Sequence, residues 1–172
     1  MRERNGNAKL FLQESMKNAA IYVNGDRAQI GAKEVSSRIN DALGRLVSTV
    51  YHKLSYIDVA MNEANIRALF KTSNQQSFAL EGGKEANAHA IHDVLSFIAT
   101  NSSMHTKTSM KSLMDRFMKA PYGFVEDDVE WLVAKLFKNG DIALTVNGAA
   151  VTLLNKLEEF FVRYITKKEY VE

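Results

Sequence analysis

The dipeptide Asn147-Gly148 is the feature that most constrains how this chain folds. It lies between two runs of apolar and small residues, IALTV at 142–146 and AAVTL at 149–153. A two-residue Asn-Gly loop requires positive φ at both positions and is the strongest short-range signal for a β-hairpin. Because successive strand residues alternate between faces, the paired side chains share one face of the hairpin. The expected pairs are Val146 with Ala149, Leu144 with Val151, and Ile142 with Leu153.

Two predicted helices joined by a tight turn precede this hairpin. The segment 108–120, TSMKSLMDRFMKA, ends at Pro121-Tyr122-Gly123, and VEDDVEWLVAKLFKNG follows at 125–140. Apolar residues recur at spacings of three and four in both, which is typical of helices with a buried face. Helix, turn, helix and hairpin in this order predict a winged-helix domain, which binds either DNA or another protein. Its expected core residues are Ile91, Leu113, Phe117, Val129, Leu132, Val133, Leu136 and Phe137.

The N-terminal half repeats the hairpin signal among helices. Asn24-Gly25 predicts a hairpin at 20–30, with Ile21 opposite Ala28. Apolar residues at 35, 39, 43, 46, 50 and 54 predict a long amphipathic helix. Further helices are expected at 8–19, 61–70, 86–100 and 155–168. The fold class is therefore mainly α with two short β-hairpins: a helical segment at 1–75, a linker at 76–87, and a winged-helix domain at 88–172 that includes a closing C-terminal helix.

Composition excludes several classes of protein. The chain has 172 residues, no cysteine and a formal net charge of +2. The lack of cysteine rules out disulfides, thiolate metal sites and cysteine nucleophiles. The small net charge does not by itself indicate a nucleic-acid or membrane partner. The sequence has no run of 18 apolar residues, and its first residues do not resemble a signal peptide, so a soluble protein is expected. The lack of cysteine fits a cytoplasmic protein.

No group of residues predicts chemistry. The segment Gly82-Gly83-Lys84 superficially resembles a phosphate-binding loop, but Phe78 and Glu85 stand where such a loop needs Gly and Ser or Thr. His89 and His92 have the spacing of two metal ligands on one helix, but nothing suggests a third ligand. We therefore expect no catalytic residue, no cofactor, no metal and no binding of ATP.

The charge distribution argues against DNA recognition by the predicted helix-turn-helix. Such a unit inserts the first turns of its second helix into the major groove. Those turns carry four carboxylates, which a polyanion would repel; they are Glu126, Asp127, Asp128 and Glu130. The preceding helix offers basic side chains as the alternative contact surface for nucleic acid, at Lys107, Lys111, Arg116 and Lys119. We expect binding to DNA to be weak and independent of sequence.

An apolar surface for another protein is the preferred prediction. The closing helix has apolar residues over well over half its circumference, more than the stripe of about 100° that a surface helix needs. Trp131 falls beside the core spacing of its helix and is expected at the edge or exposed. The candidate interface residues are Trp131, Phe160, Phe161 and Tyr164. They would bind other proteins, the rest of a larger chain or a second copy; in the alternative, the N-terminal helices cover them.

The segment 113–142 resembles a block in the very large P-loop ATPases of bacteriophage-exclusion (BREX) defence systems. The similarity rests on Pro121, Tyr122, Gly123 and Phe124, on the acidic helix start, and on Leu132, Leu136 and Gly140. The segment IYVNGD at 21–26 is similar to the same family. The resemblance implies a fragment from outside the nucleotide-binding core, in a bacterial defence assembly. It implies a non-catalytic scaffolding or protein-interaction module; the alternative is a DNA-binding winged-helix domain.

Overall fold

A computed structural model of the chain describes residues 2–71, 85–146 and 148–151. These residues are mainly α-helical with two short antiparallel hairpins, as the sequence predicts. The chain divides into two compact units, residues 1–52 and 53–172. The predicted linker at 76–87 lies further along, and its residues 76–84 are outside the described residues. Residues 53–71, predicted to belong to the N-terminal segment, are part of the second unit.

The first unit consists of two helices around a hairpin. Its elements are α1 (Arg2–Asn18), β1 (Tyr22–Val23), β2 (Asp26–Arg27) and α2 (Val35–Val50). Asn24 and Gly25 have φ values of 54° and 88°, as a two-residue loop of this kind requires. Val23 pairs with Asp26 and Tyr22 with Arg27. The Ala28 N–H donates to the Ile21 carbonyl at 2.8 Å, which confirms the predicted register.

Arginine side chains connect α2 to the segments that flank the hairpin. Arg38 donates to the Ala19 carbonyl and Arg45 to the Gln29 carbonyl. Lys17 of α1 lies 3.7 Å from Glu34, directly before α2. None of the side chains at 6–52 is buried. The first unit therefore has polar connections between its elements, and the described residues give it no apolar core.

The second unit has the predicted order of helices and hairpin. A 3-10 turn at Leu54–Tyr56 comes first. It is followed by α3 (Glu63–Lys71), α4 (Ala88–Ser103), α5 (Met110–Phe117), α6 (Glu126–Asn139), β3 (Thr145–Val146) and β4 (Ala149–Ala150). In the wing, Val146 pairs with Ala149, and the Val151 N–H donates to the Leu144 carbonyl at 2.9 Å. Both pairs confirm the register; the third predicted pair includes Leu153, outside the described residues.

Side-chain caps define where two of these helices begin. Asn62 and Asn65 exchange hydrogen bonds between side chain and backbone at the start of α3. Ser109 and Ser112 form the same reciprocal capping box at the start of α5. Each box satisfies N–H groups that a first helical turn cannot bond internally. The sequence therefore sets these helix starts locally.

One hydrophobic core fills the second unit, and α6 lies at its centre. Helices α3, α4 and α5 all pack against α6. All eight predicted core residues are buried, which confirms that prediction. Three further core residues come from before the predicted linker. Ile66 and Leu69 belong to α3, and Met61 lies two residues before its first residue.

Candidate interaction surfaces

Helix α6 stands where a DNA-reading winged helix has its recognition helix, but it is buried on every side. All ten residues from Asp128 to Phe137 are buried. Ten successive helical residues at 100° each cover the whole circumference. A recognition helix needs an exposed face to enter the major groove. In this chain α6 is a central core helix.

The prediction that Trp131 lies at the edge or in the open is wrong. Its side chain is 0% exposed and belongs to the core. The prediction assumed that a single apolar stripe of α6 faces the core. Helices α3, α4 and α5 pack on several sides of α6, so residues outside that one stripe, including Trp131, are buried as well. The other three candidate interface residues, Phe160, Phe161 and Tyr164, lie outside the described residues.

One carboxylate at the acidic start of α6 stabilises the fold. Asp128 is buried, and its Oδ1 accepts a hydrogen bond of 2.8 Å from the Met61 N–H. Burial raises the pKa of the Asp128 carboxyl, and the nearby charge of Asp127 adds to this rise, while hydrogen bonds from the Met61 and Val125 backbones oppose it. Asp128 therefore fixes the approach to α3 against α6, and only Glu126 and Asp127 of the first turn reach solvent.

The four basic residues predicted as alternative DNA contacts are all exposed. Two of them have partners in their own unit. The Arg116 guanidinium lies 5.6 Å from the centre of the Tyr122 ring, and Lys119 Nζ lies 3.1 Å from Asp115 Oδ1. The other two, Lys107 and Lys111, lie before and within α5. This side of the unit offers the cations that a phosphate backbone attracts, but the exposed wing residues Gly148, Ala149 and Ala150 add no charge.

The Pro-Tyr-Gly segment forms the corner between α5 and α6. Gly123 has φ of 70°, which side chains with a Cβ rarely adopt. The corner brings the ring centre of Tyr122 to 4.6 Å from that of Phe117 and stacks Phe124 on Phe117 at 6.1 Å. The Phe124 N–H donates to the Phe117 carbonyl at 2.9 Å. The motif therefore builds an aromatic corner of the core.

A polar cluster joins this corner to the start of the second unit. Lys53 Nζ donates to Asp93 Oδ2 at 2.6 Å, and Tyr122 Oη donates to the same oxygen at 2.9 Å. The Lys53 ammonium lies 4.9 Å from the centre of the Tyr122 ring. The Lys53 N–H also donates to the Pro121 carbonyl at 3.0 Å. Lys53 is thus attached to α4 by its side chain and to the corner by its backbone.

Burial raises the pKa of the Asp93 carboxyl, but hydrogen bonds from Lys53 and Tyr122 outweigh burial and hold that pKa below its usual value. The hydrogen bond to Asp93 raises the pKa of Lys53. The carboxylate's contribution to stability is therefore present above the unfolded-state pKa of Asp93 and is lost as pH falls through the lower folded-state value. The contribution of Lys53 is lost as pH rises above 10.5 through its raised pKa.

We expect Asp93→Asn to lower the free energy of unfolding by about 1–2 kcal/mol near pH 7, the usual size for hydrogen bonds to a charged group that is partly screened by solvent. The difference from the wild type should shrink as pH falls below 3.8. Urea denaturation at a series of pH values measures it. Asp115→Asn, which removes an exposed pair on α5, is the matched control and should change stability by less than about 0.5 kcal/mol. If Asp93→Asn lowers the free energy of unfolding by the same amount at every pH, the ionised Asp93 carboxylate is not the source of the stability.

Asn87 connects the start of α4 to the segment that leads into α3. It is fully buried and has φ of 58°. Its Oδ1 accepts from the Val59 N–H and its Nδ2 donates to the Val59 carbonyl, both at 2.9 Å. The side-chain amide of Asn87 thus forms the two hydrogen bonds with the Val59 backbone that a residue of a neighbouring β-strand would form. Sequence reasoning missed this residue, because its partner lies 28 residues away.

The two histidines at metal-ligand spacing have other neighbours. The His89 ring lies 5.3 Å from the Tyr56 ring, and His92 Nδ1 lies 3.7 Å from Asp93 Oδ1. Within residues 2–71, 85–146 and 148–151, no three His, Asp or Glu side chains are grouped so that they could hold a metal ion.

No helix in the same ranges is long and apolar enough to cross a bilayer. The segment Gly82-Gly83-Lys84 lies outside the described residues.

Residues 53–172 match the family model described as the BREX ATP-binding protein BrxC winged helix-turn-helix domain. This match covers more than half of the chain. The chain belongs to the BrxC family. Residues 1–46 match a second model, the BREX ATP-binding protein BrxC 4th domain with six-stranded beta sheet. The two matches meet near the boundary between the structural units, and they confirm the resemblance to BREX ATPases and the predicted winged helix. No solved structure matches the chain significantly.

In this BrxC-family chain, one face of α2 is an exposed apolar surface. Five large apolar side chains of α2 are each 40–52% exposed. They are Ile39, Leu43, Leu46, Val47 and Val50. The sequence predicted the amphipathic helix from this spacing but did not show that its apolar face is uncovered. We call these five residues the α2 apolar face.

Proposed function

We propose that this chain is a non-catalytic protein-interaction module of a BREX ATP-binding protein. The observation that carries the proposal is the burial of α6 from Asp128 to Phe137. In this domain α6 is the second helix of the helix-turn-helix, and a helix that forms the core cannot be presented to base edges. Its exposed parts remain available for protein contacts, and function depends on such surfaces rather than on the fold name.

The α2 apolar face supports the same proposal. Its five large apolar side chains are contiguous on one helix, and exposed apolar patches with polar surroundings usually mark sites of protein association. The partners proposed are other proteins of the same BREX system, or other regions of its ATP-binding protein. The chain would contribute structure and contacts to that assembly, with nucleotide chemistry performed elsewhere.

The test of this function mixes the purified chain with each of the other proteins of its BREX system, one at a time. We expect sedimentation velocity to show a complex with at least one of them at micromolar concentrations. Calorimetric titration of the chain with Mg-ATP should show no saturable heat. The proposal fails if the chain sediments unchanged with every component, or if it binds ATP with a micromolar dissociation constant.

Binding of DNA by the α5 side of the second unit is the alternative function. The exposed positions of Lys107, Lys111, Arg116 and Lys119 favour it. We predict weak, sequence-independent binding at about 150 mM salt, because this surface presents four cations and the residues of the wing are uncharged. Fluorescence anisotropy with labelled duplexes over a range of salt concentrations measures both affinity and salt slope.

Charge-reversal variants separate the two functions. If DNA binding is the function, Lys107→Glu with Lys111→Glu should weaken the complex at least tenfold and reduce the salt slope by about 2, the value for two lost phosphate contacts. Lys9→Glu on α1, outside the second unit, is the control. A sequence-specific complex of nanomolar affinity at about 150 mM salt would replace the interaction module as the preferred function.

A further inference from the structure

Helix α3 covers the side of α6 that points away from the predicted core stripe. Placed at 100° per residue, four residues of α6 fall within an arc of about 80°. They are Asp128, Trp131, Lys135 and Lys138, and we call them the outer face of α6. The centre of this arc lies about 150° from the centre of the core stripe formed by residues 129, 132, 133, 136 and 137. Two of the four side chains bond to α3 or to the residue that leads into it.

The outer face has the composition of a helix side that meets water. Three of its four residues carry a charge, whereas the five residues of the core stripe are all apolar. One apolar stripe opposite a charged side is the usual pattern of a helix that packs on one side only. The sequence of α6 is therefore that of a helix with an open side, and α3 occupies that side.

The outer face holds α3 near both of its ends, and it does so through the backbone. The Met61 N–H, two residues before α3, donates to Asp128 Oδ1 at 2.8 Å. In the last turn of α3, the Leu69 carbonyl accepts a hydrogen bond from Lys138 Nζ. A carboxylate near the start of a helix and an ammonium near its end also match the helix macrodipole. Helix α3 therefore runs in the same direction as α6, and these two bonds do not depend on its side chains.

Covering the outer face has an electrostatic cost. Burial raises the pKa of Asp128 and lowers the pKa of Lys138, which the nearby charge of Lys135 lowers further. The charged forms of both groups are thus less stable in the folded unit than in water, and release of α3 would return them to water. Helix α3 has nine residues, and isolated helices shorter than about 12–15 residues are marginal. Its attachment is therefore weaker than that of a long helix on an apolar face.

We propose that the outer face of α6 is a binding site for an amphipathic helix, which α3 fills within the chain and from which a helix of another protein of the BREX system displaces it. The proposal rests on the proposed function and names the kind of partner that one surface takes. The partner helix needs an apolar side, as α3 has at Ile66 and Leu69, and a length of about 15 Å, the rise from Asp128 to Lys138. Docking of an amphipathic helix in a groove is a common mode of protein recognition.

Duplex DNA fits the outer face less well than a helix does. Release of α3 would expose Asp128 beside Glu126 and Asp127, which already reach solvent, and such carboxylates repel phosphates. The Asp128 carboxylate accepts from an N–H and the Lys138 ammonium donates to a carbonyl. A peptide backbone offers both groups, whereas a phosphate backbone offers acceptors alone. The chemistry of the face therefore favours a helix.

Hydrogen exchange of the 172-residue chain tests whether α3 can leave its site. We expect α3 amides to be at least tenfold less protected than the core amides of α6, and their exchange to depend weakly on urea, because a local opening exposes little surface. Equal protection and equal urea dependence in α3 and α6 would show that α3 opens only when the whole unit unfolds. That result would overturn the proposal.

A labelled peptide of residues 60–71 is the probe for the site itself. Ile66→Glu with Leu69→Glu places charges on the apolar side of α3 and should release it; Ala64→Glu places the charge on the exposed side of α3 and is the control. By anisotropy, the double variant should bind the peptide at least tenfold more tightly than the wild type or the control, in which α3 competes within the chain. Fluorescence of Trp131 should shift to the red in the double variant and return when the peptide binds.

The other proteins of the BREX system connect the site to function. A protein that uses the outer face should bind the double variant at least tenfold more tightly than Ala64→Glu, and the peptide should compete with it. Circular dichroism shows whether the double variant keeps the helices α4, α5 and α6.

Several outcomes would refute the helix site. They are loss of the fold in the double variant, no gain in its affinity for the peptide, and equal binding of every BREX protein to the double variant and the control. If a BREX protein binds all variants equally, the proposed function stands and the helix site alone fails. A gain in affinity for duplex DNA without one for the peptide would replace the helix by nucleic acid. If no BREX protein binds any variant or the wild type, the proposed function fails as well.

Discussion

Replacing Trp131 with alanine is expected to lower the free energy of unfolding by about 3–5 kcal/mol, the range for removal of a fully buried large aromatic side chain. The indole is 0% exposed at the centre of the second unit. The cavity left in α6 would face several helices that cannot all collapse into it. Chemical denaturation followed by circular dichroism measures the loss.

Trp131→Phe is the matched control, because it keeps an aromatic ring in the core and should cost less than the alanine variant. Trp131 is also the only tryptophan in the chain, so its fluorescence reports on this site alone. Emission shifted to the blue and poor quenching by iodide are expected for a buried indole. A loss below about 1 kcal/mol in Trp131→Ala, or strong quenching in the wild type, would contradict its place in the core.

Replacing Asn87 with alanine is expected to lower the free energy of unfolding by about 2–5 kcal/mol. The variant removes both partners of the partly buried Val59 backbone, and a polar group left unsatisfied by such a change costs about 1–3 kcal/mol when it is buried. Alanine must also adopt the positive φ of this position, which adds about 1 kcal/mol. Urea denaturation of the purified chain measures the total.

Two further variants separate these contributions. Asn87→Gly removes the amide but accepts positive φ, so it should be more stable than Asn87→Ala by about 1 kcal/mol. Asn87→Asp keeps the acceptor for the Val59 N–H and loses the donor to its carbonyl. Asn62→Ala, which removes a cap of α3, is a control for an exposed polar residue. Equal stability of Asn87→Ala and the wild type would show that the Val59 bonds contribute nothing.

The two hairpins were predictable because their signal is local. Asn24-Gly25 has the positive φ values that its residue types favour, and the registers of both hairpins follow from the two-residue loop. The helices of the second unit were predictable because apolar periodicity depends only on neighbouring residues. The Pro-Tyr-Gly corner, with the acidic helix start after it, also indicated the family that the comparisons show.

The position of the domain boundary and the environment of Trp131 could not be read in this way. Helix α3, which lies before the predicted linker, packs along α6, the helix that carries Trp131. Residues 61–71 have the periodicity of a helix, but periodicity does not say which helix they pack against. Periodicity therefore did not reveal that α3 packs against α6, and it left Trp131 at an edge.

The sequence by itself determined the order of helices and hairpins, the strand registers and the membership of a BREX family, because turn geometry, helical periodicity and short motifs are encoded within a few residues. Only the tertiary structure decided that α6 is a core helix rather than a reading helix, that Asn87 and Lys53 join distant segments, and that the α2 apolar face is uncovered. The hydrogen bonds of Asn87 and Lys53 join residues 28 and 40 positions apart, and the burial of α6 depends on its packing against α3, α4 and α5. Local propensity contains no information about which of many possible distant partners a residue will contact.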